Sequence, residues 1–289
     1  MSTGSVAVGD AQHAAIGALA KALRAARPTA RLDQDGRVEN LKDNLVSGIN
    51  EQQLTQIAEQ IQAGDGGELV VGRDGRRPKM HAAHSSSALA VNVFGWWLGK
   101  EQNLPLAGSV GFDQLVFEEK VPTGLRGGTP PHLDVIARRS DAIVAIESKC
   151  TEYLSRASNS FSPAYDRLVP GMHPTWAAAQ AELKARPDLY RVLGAAQLIK
   201  HYLGLKHTFP KAATTLLYLF WEPANPEAFP VFAAHRAEVA AFADGLEDPV
   251  VKFRAMSYPE LWELWTTPSM PAWVTKDVAE LRDRYAVPI

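Results

Sequence analysis

The sequence has a single cysteine, Cys150, in a chain of 289 residues. An internal disulfide is therefore excluded, and without a Cys/His cluster a structural zinc site is not expected. No stretch approaches the roughly 18 consecutive apolar residues that mark a membrane-spanning helix. The first residues also lack a basic segment followed by an apolar run, so we expect no secretory leader. These absences favour a soluble protein of the reducing cytoplasm.

An excess of positive charge is missing as well. Lys and Arg together number 30 against 32 Asp and Glu, which gives a net charge of −2. Many nucleic-acid-binding proteins are basic overall, so this balance counts against such a role unless a local basic patch or a metal attracts phosphate. The remaining composition is typical of a globular protein. No repeat, low-complexity tract or clear linker divides the chain, so we predict a single domain over residues 1–289.

The most informative stretch is HLDVIARRSDAIVAIESK, residues 132–149. It predicts two short strands, residues 133–137 and 142–148, joined by a tight polar turn at residues 139–141. The continuous apolar run at residues 142–146 indicates a strand that is buried on both faces. Paired as a hairpin, the two strands would form the centre of a sheet.

Three charged side chains share one end of this hairpin. Because side chains alternate across a strand, Glu147 and Lys149 lie on the same face of the second strand. Asp134 on the first strand comes close to Glu147 when the strands pair, with Lys149 one step beyond. The sequence therefore predicts two carboxylates and an ammonium group together at one edge of a buried sheet.

Such a group is costly to bury, by several kcal/mol, roughly, for each uncompensated charge. A divalent metal compensates carboxylates, and Mg²⁺ is typically held by one or two of them together with water and substrate phosphate. An ammonium group nearby can orient a water molecule or neutralise developing charge. These residue types favour hydrolysis of a phosphodiester with Mg²⁺ or Mn²⁺. A solvated surface hairpin with one ion pair would contain the same residues and stays open as an alternative.

The pattern resembles the PD-(D/E)xK nuclease superfamily, whose members are restriction-endonuclease-like. Glu147-Ser148-Lys149 matches ExK, and Asp134 stands at the aspartate position, although His132-Leu133 precedes it where the motif has proline. The resemblance implies that Asp134, Glu147 and the backbone carbonyl of Ser148 bind the metal. It implies that Lys149 orients the attacking water. The segment SSSALAVNVFGWW, with the hairpin, narrows the resemblance to a bacterial restriction-endonuclease-like branch.

The order of predicted elements agrees with this resemblance. It runs helix, three strands, helix, strand, which is the αβββαβ core topology of the superfamily, and it covers about residues 85–222. The resemblance implies an α/β fold with a mixed central sheet flanked by helices. Residues 1–84 form a predicted N-terminal helical extension, whose second helix spans residues 52–63 and is followed by a glycine-rich loop from residue 64 to 87. Residues 223–289 form a C-terminal extension with predicted helices at about 226–246, 258–265 and 274–285 and a short strand near 250–255. The predicted elements of the core are a helix at 88–98 capped by one of the preceding serines, strands at 112–121, 133–137, 142–148 and 213–221, and helices at 175–185 and 189–205.

Further site residues follow from the resemblance and from charge. In some branches a Gln on the helix after the ExK strand lies near the site, with a Tyr four positions later, which points to Gln197. Tyr202 is five positions on, and this departure weakens the transfer of the tyrosine's role to it. An acidic residue upstream of the first strand often joins the metal site, and Glu68 is the candidate. Three other residues are left open as additions to the metal site: Glu118, Glu119 and Glu152. Glu118 and Glu119 are expected to point to opposite faces, with a solvent-facing pair favoured.

Basic residues near the predicted site are candidates for binding substrate phosphate. They lie in the glycine-rich loop after the second predicted helix, in the loop before the hairpin, and on the helix that carries Gln197: Arg76, Arg77, Lys79, Arg126 and Lys200.

We therefore predict a Mg²⁺-dependent endodeoxyribonuclease, a hydrolase acting on ester bonds, with DNA or RNA as its partner, no membrane association and homodimerisation left open. The alternatives are a nucleic-acid-binding or structural module of the same fold without catalysis, and a hydrolase of another phosphate ester.

Overall fold

The computed structural model describes residues 8–64 and 67–289. The start of the chain, on which the expectation of no leader rests, and residues 65–66 of the predicted glycine-rich loop lie outside the described residues. The strands are β1 (Gln114–Lys120), β2 (His132–Arg138), β3 (Ala142–Lys149), β4 (Ala213–Phe220) and β5 (Val251–Ser257). The helices are α1 (Val8–Ala26), α2 (Glu51–Gly64), α3 (Ser86–Phe94), α4 (Pro174–Ala185), α5 (Ala195–Thr208), α6 (Pro230–Asp244), α7 (Tyr258–Leu264) and α8 (Ala272–Tyr285).

The strands form one mixed sheet in the order β1-β2-β3-β4-β5. The first three are antiparallel neighbours, whereas β4 and β5 each join in parallel. A short turn suffices to connect β2 to β3, while each parallel pair needs a crossover, here α4 and α5 before β4 and α6 before β5. The α/β class and the hairpin predicted from the sequence are confirmed. Among the described helices, none combines the length and apolar character needed to cross a membrane.

The centre of the sheet is covered on both faces. Six successive residues of β3, 143–148, are buried, which explains their nearly continuous apolar sequence. Helix α3 packs against β2 and β3 and is buried over almost its whole length. The Ser85 hydroxyl accepts a hydrogen bond from the backbone N–H of Ala88 and caps α3, as the sequence predicts.

Two helices differ from the prediction at their first residues. Helix α5 starts at Ala195 rather than at residue 189. The Glu238 carboxylate accepts hydrogen bonds from three successive backbone N–H groups in residues 191–193, so those groups are held in a loop instead of a helical turn. Helix α6 starts at Pro230 rather than at residue 226, because proline disfavours helical geometry in the residue before it, and Phe229 is extended.

The two extensions pack against each other and against the core. Helix α8 contacts α1, and the buried Arg284 guanidinium on α8 donates hydrogen bonds to the carbonyls of Leu19 and Ala83 and to the side-chain oxygen of Asn44. Where the sequence predicts a short strand near residues 250–255, the structure has β5, which lies beside β4. The sheet therefore continues past residue 222, where the predicted core ends.

Candidate active site

A cleft of about 400 Å³ lies at the end of the β2–β3 hairpin. Five elements contribute side chains to its lining: α3, β1, β2, β3 and α5. The predicted Asp134, Glu147 and Lys149 are among the lining residues, as is Gln197. The charged residues at the end of the hairpin therefore face a concave space large enough for a small ligand or part of a larger one.

The register of the hairpin explains why the two carboxylates meet. The ladder pairs Val135 with Ile146, so that Asp134 and Glu147 are the next residues along each strand. The regular pairing stops there, and the Asp134 carboxylate accepts a hydrogen bond of 2.7 Å from the backbone N–H of Ser148. This bond fixes one oxygen of Asp134 at the end of β3. The carbonyl of Ser148 belongs to the same stretch of backbone.

Lys149 is held between two partners. Its Nζ atom lies 2.6 Å from Oε1 of Glu147 and donates a hydrogen bond of 3.1 Å to Oε1 of Gln197. The other carboxylate oxygen of Glu147 lies 2.8 Å from Nε2 of His201. Gln197 and His201 are four residues apart on α5, so both project from one face of the helix toward the end of β3.

These contacts set the charge of the pair. Burial alone would raise the pKa of the Glu147 carboxyl, but Lys149 and His201 outweigh it and lower the pKa to about 2. Burial would likewise lower the pKa of the Lys149 ammonium, but Glu147 and Glu152 beside it hold that pKa above its usual range. The Glu147 carboxylate and the Lys149 ammonium are therefore both ionised at neutral pH.

Glu118 is a further carboxyl group in the cleft. It lies on β1, where the register with β2 places it across from Asp134. Its backbone adopts a left-handed conformation, with φ of 52°, which costs a non-glycine residue about 1–3 kcal/mol and tends to cluster at functional sites. Its carboxylate is buried and accepts a hydrogen bond of 3.3 Å from the hydroxyl of Ser87 on α3.

The surroundings of Glu118 disfavour its charged form. Burial is the main cause that raises its pKa to about 7, and the carboxylates of Glu68 and Glu147 add to the effect. The close approach of α2 helps to place this residue, since a Cβ atom on Gly64 would collide with the backbone of Glu118.

The cleft has more acidic groups than it has cations to balance them. Burial, Glu147 and then Glu118 raise the pKa of the Asp134 carboxyl well above its usual range. Within residues 8–64 and 67–289, no three His, Cys, Asp or Glu side chains are already arranged around a common metal position. Mg²⁺ needs only one or two protein carboxylates, however, and prefers oxygen donors. The donor set and the uncompensated negative charge therefore fit a divalent cation of this kind.

The structure distributes the other predicted site residues over three places. Glu68 and Lys200 line the cleft, and Arg126 lines a groove beside it. Arg76, Arg77 and Lys79 do not line the cleft. Arg76 pairs with Asp74, Arg77 donates to backbone carbonyls, and Lys79 pairs with Glu68.

The three acidic residues considered as additional metal ligands, Glu118, Glu119 and Glu152, lie in different surroundings. The sequence favours solvent exposure of both Glu118 and Glu119. This prediction is wrong for Glu118, which is buried in the cleft. Glu119 pairs with Arg138. Glu152 lies 4.0 Å from Lys149 and accepts a hydrogen bond from the backbone N–H of Cys150.

Sequence reasoning passed over His201 and Ser87. His201 occupies the position four residues after Gln197, and this spacing was the available signal that both side chains share one face of α5. Ser87 is one of the three serines from which the sequence predicts a helix cap, and that cap is Ser85. Its role beside Glu118 depends on the packing of α3 against the sheet, which no local pattern in the sequence reveals.

Comparisons with known proteins add one match. The model of a protein family described as restriction endonuclease associating with ARP matches residues 37–286. This range includes the hairpin and α5, and it also spans most of the two extensions. No curated protein and no solved structure matches the chain.

Proposed function

The chain belongs to the family described as restriction endonuclease associating with ARP, and we propose that it is a metal-dependent nuclease that hydrolyses phosphodiester bonds of DNA. The observation that carries this proposal is the Lys149 ammonium held between Glu147 and Gln197 in a cleft that it shares with Asp134. The element order α3, β1, β2, β3, α4, α5, β4 supports a restriction-endonuclease-like αβββαβ core of the PD-(D/E)xK type.

The residues that would hold Mg²⁺ or Mn²⁺ are Asp134, Glu147 and the carbonyl of Ser148, with Glu118 beside them. A bound divalent ion supplies Lewis acidity, which lowers the pKa of water and offsets the charge of the phosphate. Glu118 is better placed than Glu68 to complete this set, because it is buried across from Asp134, whereas Glu68 already pairs with Lys79.

The protein's own groups have separate tasks in this proposal. The Lys149 ammonium donates hydrogen bonds to the attacking water and to the phosphate oxygen that gains negative charge. Gln197 accepts from Lys149 and so fixes the direction of its remaining N–H groups. His201 lies against the second oxygen of Glu147 and keeps this carboxylate from rotating away from Lys149.

Phosphate attraction would be local, because the protein as a whole is slightly acidic. Lys200 lines the cleft and has no acidic partner among the described residues, so its charge is available to a substrate phosphate. Arg126 is exposed in the loop before β2 and lies along the adjoining groove. Cytoplasmic location and homodimerisation remain expectations, and gel filtration with light scattering would test the second.

A second candidate is a catalytically silent DNA-binding module of the same fold. It is favoured by one observation, that both carboxylate oxygens of Glu147 are engaged, one by Lys149 and the other by His201. A metal would have to displace or share one of these contacts. The two candidates predict different responses to added metal, so a single assay separates them.

The test is cleavage of supercoiled plasmid and of single-stranded DNA in Mg²⁺ or Mn²⁺, with EDTA as the metal-free reference. Wild type is compared with Glu147→Ala and Lys149→Ala. Lys42→Ala is the matched control, because Lys42 also pairs with a glutamate, Glu51, and neither residue lines the cleft. We expect metal-dependent cutting that both site variants lose and the control retains.

Other results would count against the proposal. DNA binding without cutting in any metal would favour the silent module. Cutting that survives both Glu147→Ala and Lys149→Ala would place the catalytic site elsewhere or indicate a contaminating nuclease.

A further inference from the structure

A second groove, of about 430 Å³, opens beside the cleft. We call it the adjoining groove; its walls are residues 122, 123 and 125–130 of the β1–β2 connection and residues 162, 164 and 165 of the segment after β3. Thr129 and Tyr165 line both spaces, so the groove and the cleft are neighbours. A ligand with one part at Lys149 would enter the groove past these two residues.

The walls of this groove combine apolar surface with hydrogen-bonding groups. Tyr165, Leu125 and the proline residues provide apolar faces, and the hydroxyls of Thr123 and Thr129 lie among them. Its volume falls within the roughly 300–1,000 Å³ of typical small-ligand sites. A flat aromatic ligand with polar edges, such as a nucleobase, matches this combination, because every base presents a face that stacks on an aromatic side chain.

Lys200 links the groove to the phosphate position. Its Nζ atom lies 5.5 Å from the ring centre of Phe161 and 5.7 Å from that of Tyr165, while its side chain also lines the cleft. Burial lowers the pKa of this half-buried lysine. The Lys200 ammonium is thus near the Tyr165 ring, and its side chain lines the cleft that also contains Lys149.

The loop that forms the long wall has a defined backbone. Gly124, Gly127 and Gly128 have φ values of 83°, 78° and 78°, in the left-handed region that favours glycine. Nothing lies within 4 Å of where a Cβ atom would be on Gly127 or Gly128. These two glycines are therefore needed for the course of the chain rather than for close packing, and they leave space open beside the groove.

We propose that the adjoining groove binds the unpaired base of the nucleotide next to the scissile phosphate, stacked on Tyr165 with Lys200 on its phosphate. This inference rests on the proposed nuclease function and deepens it. A base in the groove is separated from its partner strand, so the preferred substrate carries an unpaired nucleotide at the cleavage site, as single-stranded DNA or a flipped base does.

The test measures binding of a short fluorescein-labelled oligothymidylate to full-length protein that also carries Glu147→Ala, so that cleavage does not interfere. Tyr165→Ala is compared with Tyr165→Phe, which keeps the ring. Tyr190→Ala is the matched control, because Tyr190 is also half-buried but lines neither space. A blunt duplex and a strand of the same length with abasic sugars are the reference probes.

We expect Tyr165→Ala to weaken binding of the single strand about 10- to 100-fold, and Tyr165→Phe to weaken it less than about threefold. Binding of the duplex and of the abasic strand should not depend on the ring. Equal losses for all three probes would mean that Tyr165 contacts the backbone or supports the fold, and would overturn the base site.

The two proposals fail in different ways. If wild type cuts DNA but Tyr165→Ala leaves its affinity for the single strand unchanged, the base site is wrong and the nuclease stands. If wild type neither binds nor cuts DNA in any form, both are wrong.

Discussion

Glu118 offers a test of the site that needs no substrate. In the metal-free protein its pKa is raised from the ordinary 4.5 to about 7, chiefly by burial. Between these two values the unfolded chain loses its proton while the folded protein keeps it, so the free energy of unfolding falls as the pH rises. Below pH 4.5 both states are protonated and this loss is absent; above about pH 7 it is complete. Glu118→Gln stays neutral at every pH, so its free energy of unfolding does not show this loss.

The interval from 4.5 to about 7 corresponds to about 3 kcal/mol. In EDTA, we therefore expect the free energy of unfolding of Glu118→Gln, relative to that of wild type, to increase by about 2–3 kcal/mol between pH 5 and pH 8. The matching gain in melting temperature is about 3–5 °C for a chain of this size. Urea titration and differential scanning calorimetry at both pH values measure the two quantities.

The matched control is Glu119→Gln, which removes the same charge from the next residue, where Arg138 already pairs with it. It should not recover stability at pH 8. Added Mg²⁺ should narrow the difference between wild type and Glu118→Gln, because the ion gives the carboxylate a counter-charge. If the difference in free energy of unfolding between Glu118→Gln and wild type does not change with pH, position 118 does not bury an uncompensated carboxylate and the argument is refuted.

Four further substitutions test separate parts of the structure. His201→Gln removes the ring beside Glu147, and we expect about a 10- to 100-fold loss of cleavage in a Mg²⁺ titration with the melting temperature kept; full activity would contradict its positioning role. Ser257→Ala breaks the capping box of α7 and should lower the free energy of unfolding in urea by about 1 kcal/mol, with an unchanged midpoint counting against the cap. Gly204→Ala puts a methyl group against the backbone of the β1–β2 connection and should destabilise by about 1–3 kcal/mol. Gly17→Ala, in open space on α1, should instead stabilise by up to about 1 kcal/mol, and calorimetry of both variants checks the two signs.

The hairpin was predictable because the information for it is local. Alternating side chains, a polar turn and an apolar run define β2 and β3 within eighteen residues, and together they place Asp134, Glu147 and Lys149 at one end. The capped start of α3 was predictable for the same reason, since Ser85 bonds to a backbone group three positions on.

The parts that could not be predicted depend on distant residues. Glu118 reaches the cleft because its backbone takes a left-handed conformation where α2 ends against it. Neither feature has a signature in the sequence FEEK. The late start of α5 is fixed by Glu238, 47 positions after the first backbone group that it binds. His201 differs from these residues, because its spacing of four from Gln197 is visible in the sequence. What the sequence analysis missed is its contact with Glu147.

The buried Arg284 has a consequence for how the protein is made. Its guanidinium on α8 reaches the carbonyl of Leu19 on α1, 265 positions earlier in the chain. During synthesis α1 emerges long before α8 exists, and contacts between such distant segments form late. Protease resistance of α1 should therefore be complete only once α8 has been made, and a chain that stops before α8 should hold α1 by its other contacts alone, such as the hydrogen bond from Gln12 to the carbonyl of Thr151.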